Sequence, residues 1–462
     1  MEYIIQNKVL GENAYPVTLA KAVQLGDKTL SEILAEGISK GYDYRLPQVK
    51  ISSTNLKVNG DDIIGLTIQK NSVKAEVVYI SQNMQFSEEC EISYQGNSTL
   101  NNPKKGFSID FANKHRFKNW LAFDGFHLKG YYIDWTHSRD LISNRLLEQI
   151  YQRRANIRPF ANYNDISDAY KLMETGALCH VDGFPCELYI NDTYWGLYSV
   201  NMKKSNGNYL LQKDNPLHIM LDPDDNAYIQ TTGWDWGKIE IRCPKSLIKN
   251  KDGSKYDGDN PQEIQDGEVK TNILSWISWV SGITESYTET QLSERLNLDE
   301  FIDFYLFSWF VDSIDIVCKN TLWTTWDGVH WSPLSYDLDV TFGIHSFETG
   351  DSQASPSYDT FAHKANSHAT WIPKVAKILQ TKINKRYAEL RKDVFTTENV
   401  KNLFNDFFRE VGADAYEKDL QRWSYPSYGQ SDANFVFDID KIVTWVNGRI
   451  VYLDNKFSYQ SS

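Results

Sequence analysis

No stretch of the 462-residue chain approaches the run of about 20 apolar residues that crosses a bilayer as a helix, so no membrane span is expected. The start, Met1-Glu2-Tyr3-Ile4-Ile5-Gln6, lacks the basic residues and apolar run of a secretory signal, and a soluble protein without that address is expected. The cysteines Cys90, Cys179, Cys186, Cys243 and Cys318 are odd in number, scattered and without a CxxC pair, which indicates neither a disulfide framework nor a zinc site. Also missing are GxxxxGK, GxGxxG, GxSxG and HExxH, so a P-loop, a dinucleotide fold, a hydrolase elbow and a zinc-protease helix are not expected. Positive charge is in deficit: 48 Lys and Arg stand against 61 Asp and Glu, a formal charge of −13, and no basic patch is interleaved with aromatics. That balance repels a nucleic-acid backbone, and no nucleic-acid partner is expected. It still suits a phosphorylated ligand held through hard cations, which carboxylates bind.

What the chain has in quantity is aromatic surface, with 14 Trp and 27 Tyr, which supports a densely packed interior. Its length exceeds what one core usually spans, so two lobes with appendages are expected. From Leu46 to about Phe111, short alternating runs separated by Asn, Asp and Gly predict antiparallel strands. Helical spacing at Leu141, Ile142, Leu146 and Ile150 predicts a helix over 136–155, with Thr136 or Ser138 as its cap. A hairpin follows at Glu187–Ile190 and Tyr194–Tyr198, turning at Asn191-Asp192. Residues 249–260 read as a solvated loop whose spacing does not match a helix–loop–helix calcium site. Beyond about residue 270, helical patterns dominate, including 302–311 and 375–391. The fold class is therefore α+β, divided as a segment 1–40, a β-rich lobe 41–215 and a mainly helical lobe 216–462 that carries a further hairpin.

That hairpin carries the densest chemistry. Asp-Gly at 327–328 between aromatic runs predicts a tight turn, which sets Asn320 opposite Ser335 and brings Asp337 within roughly 7 Å along the strand, at about 3.3 Å per residue. Asp315 lies just upstream, so three oxygen-bearing side chains gather at one end, where they could hold magnesium against nucleotide phosphates. The interval from Asp315 to Asn320, then a hairpin, then Asp337-Leu338-Asp339 leading to Phe342-Gly343, is also the spacing used in kinase phosphoryl transfer. Asp312, Asp315 and Asp327 read equally as caps and turn residues. A second polar turn, Gly96-Asn97-Ser98, precedes Pro103-Lys104-Lys105. There, backbone N–H groups can approach phosphates and Lys104 or Lys105 can supply a point charge, although a solvated basic pair at a hairpin fits the same residues.

Five blocks, in order, resemble the spore-coat CotH kinase family: Tyr94-Gln-Gly-Asn-Ser-Thr with Pro103-Lys-Lys; Leu188–Tyr198; Asp312–Asn320; Tyr336-Asp-Leu-Asp-Val-Thr-Phe-Gly343; and Arg386–Arg391. The resemblance covers about 46–395 and implies an atypical protein-kinase-like, two-lobe fold whose active members transfer phosphate from ATP to protein Ser. It implies Gly96, Asn97, Ser98 and Lys104 or Lys105 at the ATP phosphates, Asp315 as the catalytic Asp, and Asn320 with Asp337 or Asp339 on Mg2+. A further family block, Asp134, Arg139 and Asn144, is given a structural or nucleotide-proximal role. Glu148 on the same helix could pair with the lobe's Lys, and a solvated helix face fits it equally. The chain departs from the family pattern at Gln95, where Arg is usual, at Asn201–Lys204, where the strand commonly ends in Glu, and at Tyr336, where Trp is usual. Residues 1–40 resemble the attachment segments of phage tail-fibre and baseplate proteins. Two settings follow from the resemblances: a kinase acting on a protein substrate, in the cytoplasm or mounted on an assembly, or a catalytically weak or inactive structural or binding component of a phage virion, in its tail fibre or baseplate. Homo-oligomerisation through 1–40 is expected in either.

Overall fold

Strict alternation of apolar and polar residues sets one face of each early strand inward, and the inward rows close on one another. In the computed structural model, residues 46–154, 176–223, 239–256, 258, 260–317, 319–344, 355–361, 371–423 and 439–460 are described, with two short strand pairs at 24–25/28–29 and 229–230/233–234. Apart from the first of those pairs, the expected attachment segment 1–40 lies outside the described residues.

Seven strands form a closed barrel: β1 (Gln48–Ser52), β2 (Val73–Ile80), β3 (Gln85–Gln95), β4 (Gly106–His115), β5 (Phe123–Lys129), β6 (Gly183–Ile190) and β7 (Thr193–Asn201). Their order is β6-β7-β5-β4-β3-β2-β1, and parallel pairing of Glu187–Ile190 with Gln48–Ile51 shuts the ring. Closure removes the open edges an isolated sheet would present. Val49, Ile51, Val77, Ile92, Phe107, Ile109, Leu128 and Leu188 fill the interior. Outward positions on neighbouring strands then line up as Ser93–Ser108–His127–Asn201. The β6–β7 turn is the expected two-residue one: Ile190 pairs with Thr193, and Asn191 and Asp192 both adopt positive φ.

A second, four-stranded antiparallel sheet has the order β9-β8-β10-β11, where β8 is Ile219–Pro223, β9 Ile239–Cys243, β10 Thr321–Thr325 and β11 Trp331–Ser335. Here the expected register is corrected. Thr321, not Asn320, faces Ser335, because the loop between Thr325 and Trp331 holds five residues. Asp327 Oδ1 accepts the backbone N–H groups of Val329 and His330, and this side-chain turn replaces the two-residue one.

Helix α1 (Arg139–Tyr151) spans the junction of barrel and second sheet, and Ser138 takes the cap position as expected, but its side chain makes no capping hydrogen bond. The Asp134 carboxylate accepts the N–H groups of Thr136, Ser138 and Arg139, satisfying the orphan donors of the first turn. The remaining core is built by α2 (Glu268–Ser281), α3 (Leu298–Val311), α4 (Ile372–Ile378), α5 (Gln380–Leu390), α6 (Thr397–Val411) and α8 (Asp440–Lys456), with α4 and α5 dividing the expected single helix. Arg386 on α5 donates to Asp303 and to the carbonyls of Ile150 and Arg153, tying down the end of α1.

Helix α7 (Ala413–Arg422) packs on the barrel. Asp419 accepts from Leu197 N at 2.7 Å and from Lys104 Nζ at 2.8 Å, and lies 3.2 Å from His137 Nε2. Gly196, at φ +143°, permits this approach, since a Cβ there would stand 2.7 Å from Asp419 Oδ1. Burial lowers the Lys104 pKa to about 8. Burial would raise that of Asp419, but Lys104 and His137 more than offset it and hold it below the carboxylate range. Removing one member of such a pair strands the other, so Asp419→Asn should cost about 3–5 kcal/mol in urea unfolding. Adding Lys104→Met to that variant should recover much of the loss, and additive losses would show that the two groups are not coupled.

Candidate active site

Where the barrel face meets the second sheet there is a cleft of about 990 Å³. Its walls include Gly96, Asn97, Lys104, Asp315, Asn320, Asp337 and Asp339, so most of the expected site residues face one space. Ser98 opens the 3-10 turn Ser98–Asn101. Lys105 does not line the cleft, and its ammonium lies 3.8 Å from Asp62. Lys104 borders the cleft while its ammonium is spent on Asp419. Among the described residues Glu148 meets His180 at 2.8 Å.

The cover turn follows β3. Gly96 takes φ +110°, and a Cβ there would stand 2.0 Å from Thr99 Oγ1, so only glycine fits the turn. On the opposite wall, Asn320 and Asp337 hold φ of +59° and +55°, a left-handed conformation that costs non-glycine residues energy and clusters at functional sites. Several elements hold that bend. Asn320 Nδ2 donates to Asp337 O at 3.2 Å, Tyr336 N donates to Asn320 O at 3.1 Å, and Phe342 N donates to Val311 O at 2.7 Å. Asn320 Oδ1 is left without a hydrogen bond from the described residues, and Asn320 lines the cleft with the carboxylates.

Sequence reasoning missed the cation that governs this wall. Lys129, the last residue of β5, places its ammonium 2.8 Å from Asp337 Oδ1. Strand alternation carried the signal, since Leu128 points into the barrel and Lys129 therefore points out. Burial would raise the Asp337 pKa, but Lys129 beside it more than offsets that and keeps it below the usual carboxylate range. Asp339 has no such partner. Burial, then the charge of Asp337, push its pKa well up, and no hydrogen bond from the described residues reaches it. Lys319 Nζ lies 3.6 Å from Asp315 Oδ2. Lys204 pairs with Asp222 at 2.9 Å and sits 3.5 Å over the Tyr336 ring. Among the described residues no three Asp, Glu, His or Cys side chains are gathered into a cage for a metal ion. What the wall offers is two adjacent carboxylates and an amide oxygen with one ammonium among them, an arrangement that a further cation would relieve.

A chain that pairs a β-barrel with a mixed helix-and-sheet half, and opens a carboxylate- and lysine-lined cleft between them, belongs to the α+β class. The family model described as CotH kinase protein matches residues 92–453, most of the chain, and the protein is a member of that family. No curated protein matches the chain. Among the described residues no helix is long and apolar enough to cross a membrane.

If Lys129 holds Asp337 ionised, Lys129→Met should raise the Asp337 pKa. Titration of the 13C-labelled aspartate carboxyls in metal-free buffer checks this, and an unmoved Asp337 resonance contradicts it.

Proposed function

We propose that this CotH family member is a magnesium- and ATP-dependent kinase acting on a serine of a protein acceptor, with the barrel and the helical half serving as kinase-like lobes. The observation that carries the reading is that Asp315, Asn320, Asp337, Asp339, Lys129 and the Gly96-Asn97 turn line a single cleft. Asn320 Oδ1, Asp337 and Asp339 would hold magnesium. The lack of a protein-only cage is compatible with this, because Mg2+ keeps several waters and takes one or two carboxylates together with substrate phosphates. Bound there, the ion supplies neutralisation of charge on the β- and γ-phosphate oxygens.

The chain's own groups do the rest. Backbone N–H groups of the cover turn approach the phosphates, and Lys129 adds a point charge from the barrel side. Asp315 accepts the proton of the serine hydroxyl as its oxygen bonds to the γ-phosphorus. The bond from that phosphorus to the β–γ bridging oxygen breaks, and the electron pair leaves with ADP. Lys319, 3.6 Å from Asp315, is placed to orient that carboxylate between turnovers.

ATP with magnesium at a hundredfold excess over its Kd should stabilise the folded chain by about 2.7 kcal/mol, or roughly 3 °C in Tm for a chain of this length. Asp315→Ala should retain that shift and lose phosphoryl transfer to itself or to a protein substrate by at least about 100-fold. Asp337→Ala should lose both. A wild-type protein with neither shift nor labelling overturns the reading.

A further inference from the structure

Four hydrogen bonds converge on one side chain that no sequence motif marked. Asp140 sits in the first turn of α1 and is 2% exposed. Its Oδ1 accepts from Leu338 N at 2.9 Å and from Asn144 Nδ2 at 3.0 Å. Its Oδ2 accepts from Tyr131 OH at 2.6 Å and from Asn201 Nδ2 at 3.1 Å. Those donors come from the Asp337-Leu338-Asp339 bend, from α1 itself, from the segment after β5 and from the end of β7. A second tie repeats the first one turn along the helix, where Ser143 Oγ meets Thr341 Oγ1 at 3.0 Å. Thr341 Oγ1 in turn donates to Leu338 O at 3.0 Å, so both backbone polar groups of Leu338 are held by the same short network.

We infer that Asp140 is a positioning residue of the cleft: through the Leu338 amide it sets the bend that aims the carboxylates of Asp337 and Asp339, and through Tyr131 and Asn201 it keys that bend to the barrel wall carrying Lys129. Leu338 is fully buried and lies between the two aspartates, so a tie on its amide fixes the backbone from which both carboxylates project, beside the tie that Asn320 makes to the Asp337 carbonyl. A carboxylate suits the place because it alone accepts on both oxygens. Asparagine at 140 would present an NH2 to at least one donor, and the bend would lose either its tie to the barrel or its tie to the helix. A loosened bend costs metal affinity more than nucleotide affinity, because the cation reads the separation of two short side chains and the nucleotide reads the whole cleft.

The inference rests on the kinase reading for its ligand, and the test separates the two. Full-length wild type, Asp140→Asn, Ser143→Ala and Asp454→Asn are compared; Asp454 bonds Arg391 and Tyr387 in the helical core and serves as a destabilising control that does not line the cleft. ATP binding is followed by calorimetry across a magnesium titration and again with chelator, and amide exchange of Leu338 is read without ligand. Asp140→Asn should raise the magnesium concentration at half-saturation by about tenfold or more and leave chelated ATP binding within about twofold. It should also speed Leu338 exchange, while Ser143→Ala gives a smaller change in the same direction and Asp454→Asn lowers Tm alone. An Asp140→Asn protein with wild-type magnesium dependence and wild-type Leu338 exchange overturns the inference, as does an Asp454→Asn protein that shifts the magnesium titration equally. If wild type binds no ATP with or without magnesium, the kinase reading fails, and Leu338 exchange in Asp140→Asn then decides the positioning role by itself.

Discussion

Three carboxyl groups, those of Asp140, Asp337 and Asp339, are crowded at one end of the cleft, and among the described residues the Lys129 ammonium is the one that pairs directly with any of them. Most other features of the site follow from that imbalance. Asp337 takes the cation and stays ionised. Asp140 takes four hydrogen-bond donors in place of a charge. Asp339 receives neither, and its carboxyl is held toward the protonated form by burial and by its neighbour. A protein core does not accumulate such unreturned electrostatic cost without use for it, which is why perturbed carboxyls inside a cleft mark functional sites. The backbone shares the load: the positive φ of Asn320 and Asp337 persists only because the surrounding bonds over-determine the bend.

Two of the cleft lysines, Lys104 and Lys129, show how burial divides labour between like residues. Lys104 is sealed, with its side chain fully covered, and its charge is consumed by Asp419. It therefore works as a clasp that fixes the cover segment and β7 to α7, and the lowered pKa is the cost of keeping an ammonium out of water. Lys129 is 18% exposed at its side chain, shares its carboxylate partner with the open cleft and keeps two further N–H donors for an incoming anion. Sequence position alone could not separate these roles. Both lysines end or precede a barrel strand, and only the third dimension shows which one meets a helix and which one meets solvent.

The legible part of the fold was whatever local chemistry decides. Asn191-Asp192 can both adopt positive φ, so the β6–β7 turn and its register were readable. Asp327-Gly328 has a similar signature, yet the Asp327 side chain captures two backbone amides and lengthens the loop, a competition that strand periodicity cannot express. At α1 the cap position Ser138 was legible but the capping group was not, because Asp134 lies upstream of the helix and reaches it by folding the intervening residues into a knot of hydrogen bonds. Barrel closure depends on a parallel contact between β1 and β6 across more than a hundred residues, and nothing local encodes it. Among the site residues, the acidic set was legible because its spacing along one hairpin is short. Lys129 and Asp140 were not, because each acts across the cleft from an element far away in sequence.

The departures from the family pattern acquire a physical reading once the cleft is drawn. Gln95 takes a place where the family usually carries Arg, so one positive charge beside the cover turn is missing. The wall opposite is not poor in cations, since Lys129, Lys204 and Lys319 all pull the Asp337 pKa down. Lys204 belongs to the segment Asn201–Lys204, where the family commonly has Glu, so that exchange places a positive group at the same cleft. Its stacking on Tyr336, at 3.5 Å, requires an aromatic face immediately before Asp337, which Tyr provides as well as Trp would. The three departures are therefore not independent losses. Lys204, just beyond β7, pairs with Asp222 and rests on Tyr336, the neighbour of the aspartate whose pKa it helps to lower.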